Sequence, residues 1–120
     1  MGDISPSFSR LEFACKCSCG FDAVDSVLLD ELQRLRNFTG NRITILSGNR
    51  CADHNRYIGG SLRSQHILAK AVDFVVEDMA PHAVQDLLEE WHPTQYGIGR
   101  YPNRTHFDVR DDIARWKMFS

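Results

Sequence analysis

Two histidines and one aspartate stand where their side chains would suit metal chemistry: His66, Asp73 and His106. His66 ends a polar segment, Asp73 interrupts an apolar run, and His106 lies in a run that alternates polar and apolar residues. A lone aspartate in an apolar strand is costly to bury unless it is paired or bound to a metal. Two imidazoles and a carboxylate leave a tetrahedral Zn²⁺ one open position, where bound water reaches a pKa near 7. The trio therefore predicts a hydrolytic zinc centre.

Strand alternation indicates which further side chains lie beside these residues. In the run 105–110, His106, Asp108 and Arg110 share one face, and Phe107 and Val109 share the other. This alternation predicts that Asp108 lies on the same strand face as His106.

The elements that must position these residues follow from periodicity and capping signals. Asp25 or Ser26 caps a predicted helix that ends near 37–40 and carries a leucine stripe. Pro81 opens a second predicted helix. The predicted strands are 43–46, 71–76, 96–101 and 105–110; the last two form a hairpin around 102–104, and a polar loop covers 50–65.

This order of elements predicts one α+β domain over residues 1–120, with a mainly antiparallel sheet flanked by helices. Residues 1–10 are polar and read as a lead-in to that domain. A chain of 120 residues fits a single domain, and we expect a monomer.

Composition excludes several partners. The formal net charge of -2 gives no overall basic field toward nucleic acid, and the longest apolar runs are too short to insert into a membrane. The first residues lack the basic start and apolar centre of a secretory signal, so we expect synthesis in the cytoplasm.

Four cysteines do not match a common metal-binding spacing. Cys15, Cys17 and Cys19 alternate, whereas Cys51 stands apart. In an extended strand the three alternating thiols would face the same way, so a thiol cluster is geometrically possible. A second metal site or a disulfide to Cys51 is one hypothesis for these cysteines. Reduced, partly buried thiols are the expectation we favour.

Several motifs occur together and in order: Ser47-Gly48-Asn49-Arg50, Ser64-Gln65-His66 through Asp73, and Gly97-Ile98-Gly99-Arg100 through His106-Phe107-Asp108-Val109-Arg110. In this order they resemble the zinc D-Ala-D-Ala carboxypeptidase family, which also holds dipeptidases and phage endolysins that cut peptidoglycan. The resemblance runs from about Phe8 to Trp116 and is closest to the small stand-alone catalytic domain.

The resemblance implies a hedgehog/D-Ala-D-Ala-peptidase type of fold, with His66, Asp73 and His106 as the zinc ligands. It implies that Arg50 pairs with a substrate carboxylate and that Ser64 hydrogen-bonds the substrate. The implied substrate is a peptidoglycan stem or cross-link. The implied place of action is the cell wall, reached at lysis if the protein is a phage endolysin.

One departure bears on catalysis. Many members of the family carry a catalytic carboxylate three residues before the last zinc histidine, where this chain has Asn103. An amide cannot take a proton from water. The branch of the family that ends in His-x-Asp-x-Arg implies Asp108 instead, which is our candidate general base and would polarise zinc-bound water. Asp108 also suits a supporting role, in which it orients a ligand or pairs with Arg110. A non-catalytic, zinc-bearing binding module of the same fold is therefore the alternative function, and a metal-free domain with a decayed site is a third.

Three further histidines are not predicted ligands. His82 should be exposed in the first turn of the second helix, and His92 should be a surface cation at that helix's end. His54 falls in the polar loop.

Overall fold

The computed structural model describes residues 6–8, 25–47 and 70–118. Within these ranges the chain forms two helices and five strands. They are α1 (Ser26–Thr39), β1 (Ile43–Ser47), β2 (Ala71–Val76), α2 (Pro81–Trp91), β3 (Gly97–Arg100), β4 (Thr105–Asp108) and β5 (Ala114–Lys117).

Helix α1 begins and ends at the predicted capping signals. The Asp25 carboxylate accepts hydrogen bonds from the backbone N–H groups of Val27 and Leu28, at 2.8 and 3.2 Å. These bonds satisfy donors that the first turn of a helix leaves open. At the other end Gly40 adopts a left-handed conformation, with φ of 69°. The predicted helix is thus confirmed at both ends.

Helix α2 begins at Pro81, as predicted, and packs along one face. Val84 and Leu88 are buried, and Leu87 and Trp91 are partly buried against the same core. This is the apolar stripe expected of a helix that covers a sheet.

The five strands form one mixed sheet in the order β1-β2-β4-β3-β5. Neighbouring strands are antiparallel except β5, which runs parallel to β3. The sequence predicted a mainly antiparallel sheet that closed with the β3–β4 hairpin. That prediction was incomplete, because β5 has only four residues and takes its partner from an earlier strand.

Each strand sends alternate side chains to two faces of the sheet. The core face carries Val72, Phe74, Ile98 and Phe107, all essentially inaccessible, and it packs with both helices. The site face carries Asp73, Gly97, Gly99, His106, Asp108 and Trp116, as the strand registers require.

Phe8 also belongs to the core, with 1% of its surface exposed. Its neighbour Ser7 exchanges two hydrogen bonds of 2.9 Å with the Gln33 side chain of α1. This part of the predicted polar lead-in is therefore an integral part of the domain.

Candidate metal centre

Four residues form one row across the site face. Asp73 on β2 lies opposite His106 on β4, His106 lies opposite Gly99 on β3, and Gly99 lies opposite Trp116 on β5. Neighbouring strands are about 4.8 Å apart, so such a row brings together side chains that are distant in sequence. The side chains of this row are, in order, a carboxylate, an imidazole, the hydrogen of a glycine and an indole.

Asp73 and His106 are in direct contact. Oδ1 of Asp73 lies 2.9 Å from Nδ1 of His106, and their side chains are 19% and 8% exposed. The sequence placed Asp73 on the strand face away from its apolar neighbours, and that placement is confirmed. The pairing of the two residues follows from the antiparallel register of β2 with β4.

The other ring nitrogen of His106 faces Asp108. Nε2 lies 2.7 Å from Oδ2 of Asp108, whose side chain is fully buried. Arg110 donates from Nε to Oδ1 and from Nη2 to Oδ2, both at 2.7 Å. This two-bond fork is the strong geometry of an arginine–carboxylate pair. The predicted shared face of His106, Asp108 and Arg110 is confirmed.

These contacts shift the pKa values of both buried groups. Burial alone would lower the pKa of His106, but hydrogen bonds with Asp108 and Asp73 and the charges of both carboxylates outweigh burial and raise it. Burial alone would raise the pKa of Asp108, but hydrogen bonds with Arg110 and His106 reverse the effect and hold it well below its ordinary value. Asp108 is therefore a firmly ionised carboxylate at neutral pH.

Two glycines of β3 provide space for the site. A Cβ at Gly97 would overlap the carboxylate of Asp108, and a Cβ at Gly99 would lie 2.5 Å from Cε2 of Trp116. Real Cβ atoms essentially never approach so closely. Asp108 and Trp116 can therefore lie over β3 only because positions 97 and 99 have no side chain.

Trp116 borders His106 on the side away from Asp73. The two ring centroids are 4.8 Å apart, with their planes inclined at 51°. The indole Nε1 donates a hydrogen bond of 3.0 Å to the Tyr101 hydroxyl. The sequence analysis assigned Trp116 no role, although the Gly-x-Gly pattern of β3 signals that a bulky group lies nearby.

A comparison with protein-family models finds one that covers most of this chain. The model named Peptidase M15 matches residues 6–108. The chain belongs to the Peptidase M15 family. Family membership makes this M15 chain a hydrolase of the metallopeptidase class. A comparison with curated proteins gave no match.

The matched segment contains every predicted ligand of this M15 chain and ends at Asp108. Arg110 and Trp116, which close the site on the far side of His106, lie beyond it. The family resemblance drawn from the sequence motifs is thus confirmed.

The Asp73–His106 pair fits two positions of a zinc site. An imidazole nitrogen and a carboxylate oxygen are both ordinary zinc donors, and two tetrahedral ligands at about 2.1 Å lie roughly 3.4 Å apart. The atoms here are 2.9 Å apart, so a small separation would admit the ion. Within the described ranges there is no group of three or more metal-binding side chains. The third predicted ligand, His66, lies outside these ranges.

Other predictions also fall outside the described residues. They concern Arg50, Ser64, His54 and the cysteines Cys15, Cys17, Cys19 and Cys51. The proposed roles of these residues remain predictions. In the described part of this M15 chain, no helix is long and apolar enough to cross a membrane.

Asn103 lies in the turn between β3 and β4, and its side chain is exposed. Its Oδ1 accepts a hydrogen bond of 2.9 Å from Nη1 of Arg104.

His82 is exposed, as predicted.

The prediction for His92 was wrong. Only 9% of its surface is exposed, and Nε2 lies 2.6 Å from Oε1 of Glu31 on α1. The ring also contacts Tyr96 edge-on, with centroids 4.8 Å apart. His92 follows the last residue of α2, where a cation is favourable, but Glu31 of α1 and the rings of Tyr96 and Phe107 contact its ring and bury it.

Proposed function

We propose that this M15 chain is a zinc-dependent peptidase that hydrolyses peptide bonds in bacterial peptidoglycan stems or cross-links, and that it acts on the cell wall. His66, Asp73 and His106 would hold the zinc ion. The observation that carries the proposal is the approach of Asp73 Oδ1 and His106 Nδ1, two zinc donors 2.9 Å apart on the face of the sheet that opposes the core.

The chemistry of this donor set suits amide hydrolysis. Bound there, zinc would supply a Lewis acid and bring the pKa of a bound water near neutrality. In our proposal Arg50 binds a carboxylate of the substrate and Ser64 hydrogen-bonds the substrate. Arg50→Ala should therefore raise KM more than it lowers kcat, and an unchanged KM would contradict this role.

Asp108 has two candidate roles, and its contacts favour one of them. Both oxygens of its buried carboxylate accept hydrogen bonds from Arg110, and one also faces Nε2 of His106. A carboxylate that accepts a hydrogen bond from Nε2–H would keep that proton in place while zinc replaces the proton at Nδ1 that faces Asp73. We therefore favour the orienting role over the role of general base.

Replacement of Asp108 by Asn separates the two roles. If Asp108 orients His106, zinc affinity should fall about 10–100-fold, and saturating zinc should restore much of the rate. If Asp108 is the general base, zinc affinity should stay unchanged while the rate falls on the order of 10²–10⁴-fold.

Metal content and turnover of purified peptidoglycan together test the proposed function. The native protein, a chelated sample and a zinc-restored sample would be compared. We expect stoichiometric zinc and release of new amino groups, which chelation abolishes and zinc restores. Mass spectrometry of the fragments would then name the scissile bond.

Asn103 supports a second candidate, a zinc-bearing binding module without catalysis. It stands where many relatives carry the catalytic carboxylate, and an amide cannot replace that group as a proton acceptor. Stoichiometric zinc without cleavage of any peptidoglycan fragment would favour this module over the peptidase.

A further inference from the structure

Four side chains on the site face form a closed cycle of contacts. His106 Nε2 faces Asp108 at 2.7 Å, and Arg110 forks onto the same carboxylate. The guanidinium carbon of Arg110 lies 5.4 Å from the ring centroid of Trp116, within cation–π range. Trp116 closes the cycle through its ring contact with His106.

We propose that Trp116 is a positioning residue that holds the His106 ring in the orientation needed to bind metal, and that Gly99 is glycine to admit this indole. The proposal rests on the proposed zinc site, of which His106 is a ligand. It adds a residue of β5, beyond the segment that the family model matches.

Both ring nitrogens of His106 face carboxylates, Nδ1 that of Asp73 and Nε2 that of Asp108. Hydrogen bonds at the ring nitrogens lie close to the ring plane, so they constrain a tilt of that plane less than a packed ring face does. The Trp116 ring lies above Gly99 beside the His106 ring and opposes this tilt.

Trp116 is itself held from two sides. Its Nε1–H is tied to the Tyr101 hydroxyl at 3.0 Å, and the guanidinium of Arg110 lies over its ring. An indole fixed in this way presents a rigid surface to His106. Catalytic and metal-binding groups need such support from neighbours whose own rotamers are locked.

Trp91 offers a matched control, since the chain has only two tryptophans. Trp91 is partly buried, makes an edge contact with Phe38, and lies beneath the guanidinium of Arg34. It thus has comparable aromatic and cationic neighbours, but it is on α2, away from the site face. If the loss of any aromatic contact weakened metal binding, replacement of either tryptophan should weaken it equally. If Trp116 positions His106, only replacement of Trp116 should weaken metal binding.

The first test measures metal affinity and ligand geometry in folded variants. Trp116→Leu should weaken Co²⁺ and Zn²⁺ binding about 10-fold, at the lower end of the range for groups that support a metal ligand. It should also alter the visible absorption of bound Co²⁺, which reports coordination geometry. Trp116→Phe should restore part of the affinity, and Trp91→Leu should change neither property.

Gly99→Ala supplies a probe that leaves the indole in place. The added Cβ would force the Trp116 ring from its position, so metal binding should weaken as in Trp116→Leu. In the double variant Gly99→Ala/Trp116→Leu the added Cβ meets a smaller side chain. The loss of metal affinity in this variant should then be clearly less than the sum of the losses in the two single variants, as expected of directly coupled positions.

A fluorescence measurement tests the contact itself. In the Trp91→Phe background Trp116 is the only tryptophan, and Co²⁺ bound through His106 should quench its emission strongly. The midpoint of quenching should match the affinity from chelator competition. Bound Co²⁺ that leaves the emission unchanged would overturn the proposal.

The outcomes separate this proposal from the proposed function. If the wild-type protein binds no stoichiometric metal, the zinc site itself is wrong, and the role of Trp116 falls with it. If the wild type binds metal and Trp116→Leu binds it with equal affinity and an identical Co²⁺ spectrum, only the role of Trp116 is wrong.

Discussion

Arg110 donates one hydrogen bond of 2.7 Å to each oxygen of Asp108, two residues before it on the same face of the sheet. The Asp108 side chain is fully buried, whereas that of Arg110 is 29% exposed. A buried carboxylate is tolerated only when it is paired and hydrogen-bonded. The pair therefore supports the fold as well as the orientation of His106.

Arg110→Ala should destabilise the protein by about 3–5 kcal/mol, because it leaves the Asp108 charge buried without its main partner. Chemical denaturation of the two proteins measures the difference. Arg42→Ala is the control, since Arg42 is exposed and should lie within about 0.5 kcal/mol of wild type. An equally small loss of stability in both variants would show that the buried Asp108 carboxylate does not depend on its two hydrogen bonds from Arg110.

Stability should depend on pH through Asp108 in a defined direction. The folded pKa of Asp108 lies below the unfolded value of about 3.9, so its ionised form stabilises the fold above that pH. That contribution is lost progressively as pH falls through the acidic range. With chelator present, the difference in free energy of unfolding between wild type and Asp108→Asn should shrink from pH 5 to pH 3. A difference that stays constant would contradict the lowered pKa.

Each zinc ligand should be individually required. His66→Ala, Asp73→Ala and His106→Ala should each lose stoichiometric zinc and peptidase activity together, because three protein ligands hold a catalytic zinc. Metal analysis and peptidoglycan turnover are measured on the same samples. His82→Ala is the control, as His82 is exposed on α2. Full activity in any one ligand variant would remove that residue from the site.

The contact between Glu31 and His92 should stabilise the packing of α1 on α2. The side chains are 17% and 10% exposed, and the atoms that join them are 2.6 Å apart. Glu31→Ala should cost about 1.5–3 kcal/mol, the range for a hydrogen bond to a charged group. Thermal or chemical unfolding measures this cost against Glu90→Ala, an exposed control on α2. Equal losses of stability in Glu31→Ala and Glu90→Ala would mean that the contact between Glu31 and His92 does not stabilise the fold.

Most of the fold near the site could be predicted because its signals are local. Strand alternation alone placed His106 and Asp108 on one face of their strand, and Asp73 on the face of its own strand away from the apolar residues, since the period of two depends only on neighbouring residues. Capping residues likewise marked both ends of α1. The register that sets Asp73 opposite His106 is a relation between two strands and appeared only in the structure.

The missed features all depend on contacts between distant segments. Strand β5 has four residues and pairs in parallel with β3, so no short-range pattern distinguished it from a loop. Trp116 could not be assigned to the site without that strand. The burial of His92 depends on how α1 lies over the end of α2, and helix packing of this kind leaves little trace in one sequence.

The space above Gly99 has a consequence for how the family can vary. Positions 99 and 116 share one volume, so a larger side chain at the first requires a smaller one at the second. Relatives that keep tryptophan at 116 should be restricted to glycine at 99, and relatives with a small residue at 116 should tolerate alanine or serine there. The residues at positions 99 and 116 should therefore covary. A larger residue at position 99 should occur only in relatives that carry a smaller residue at position 116.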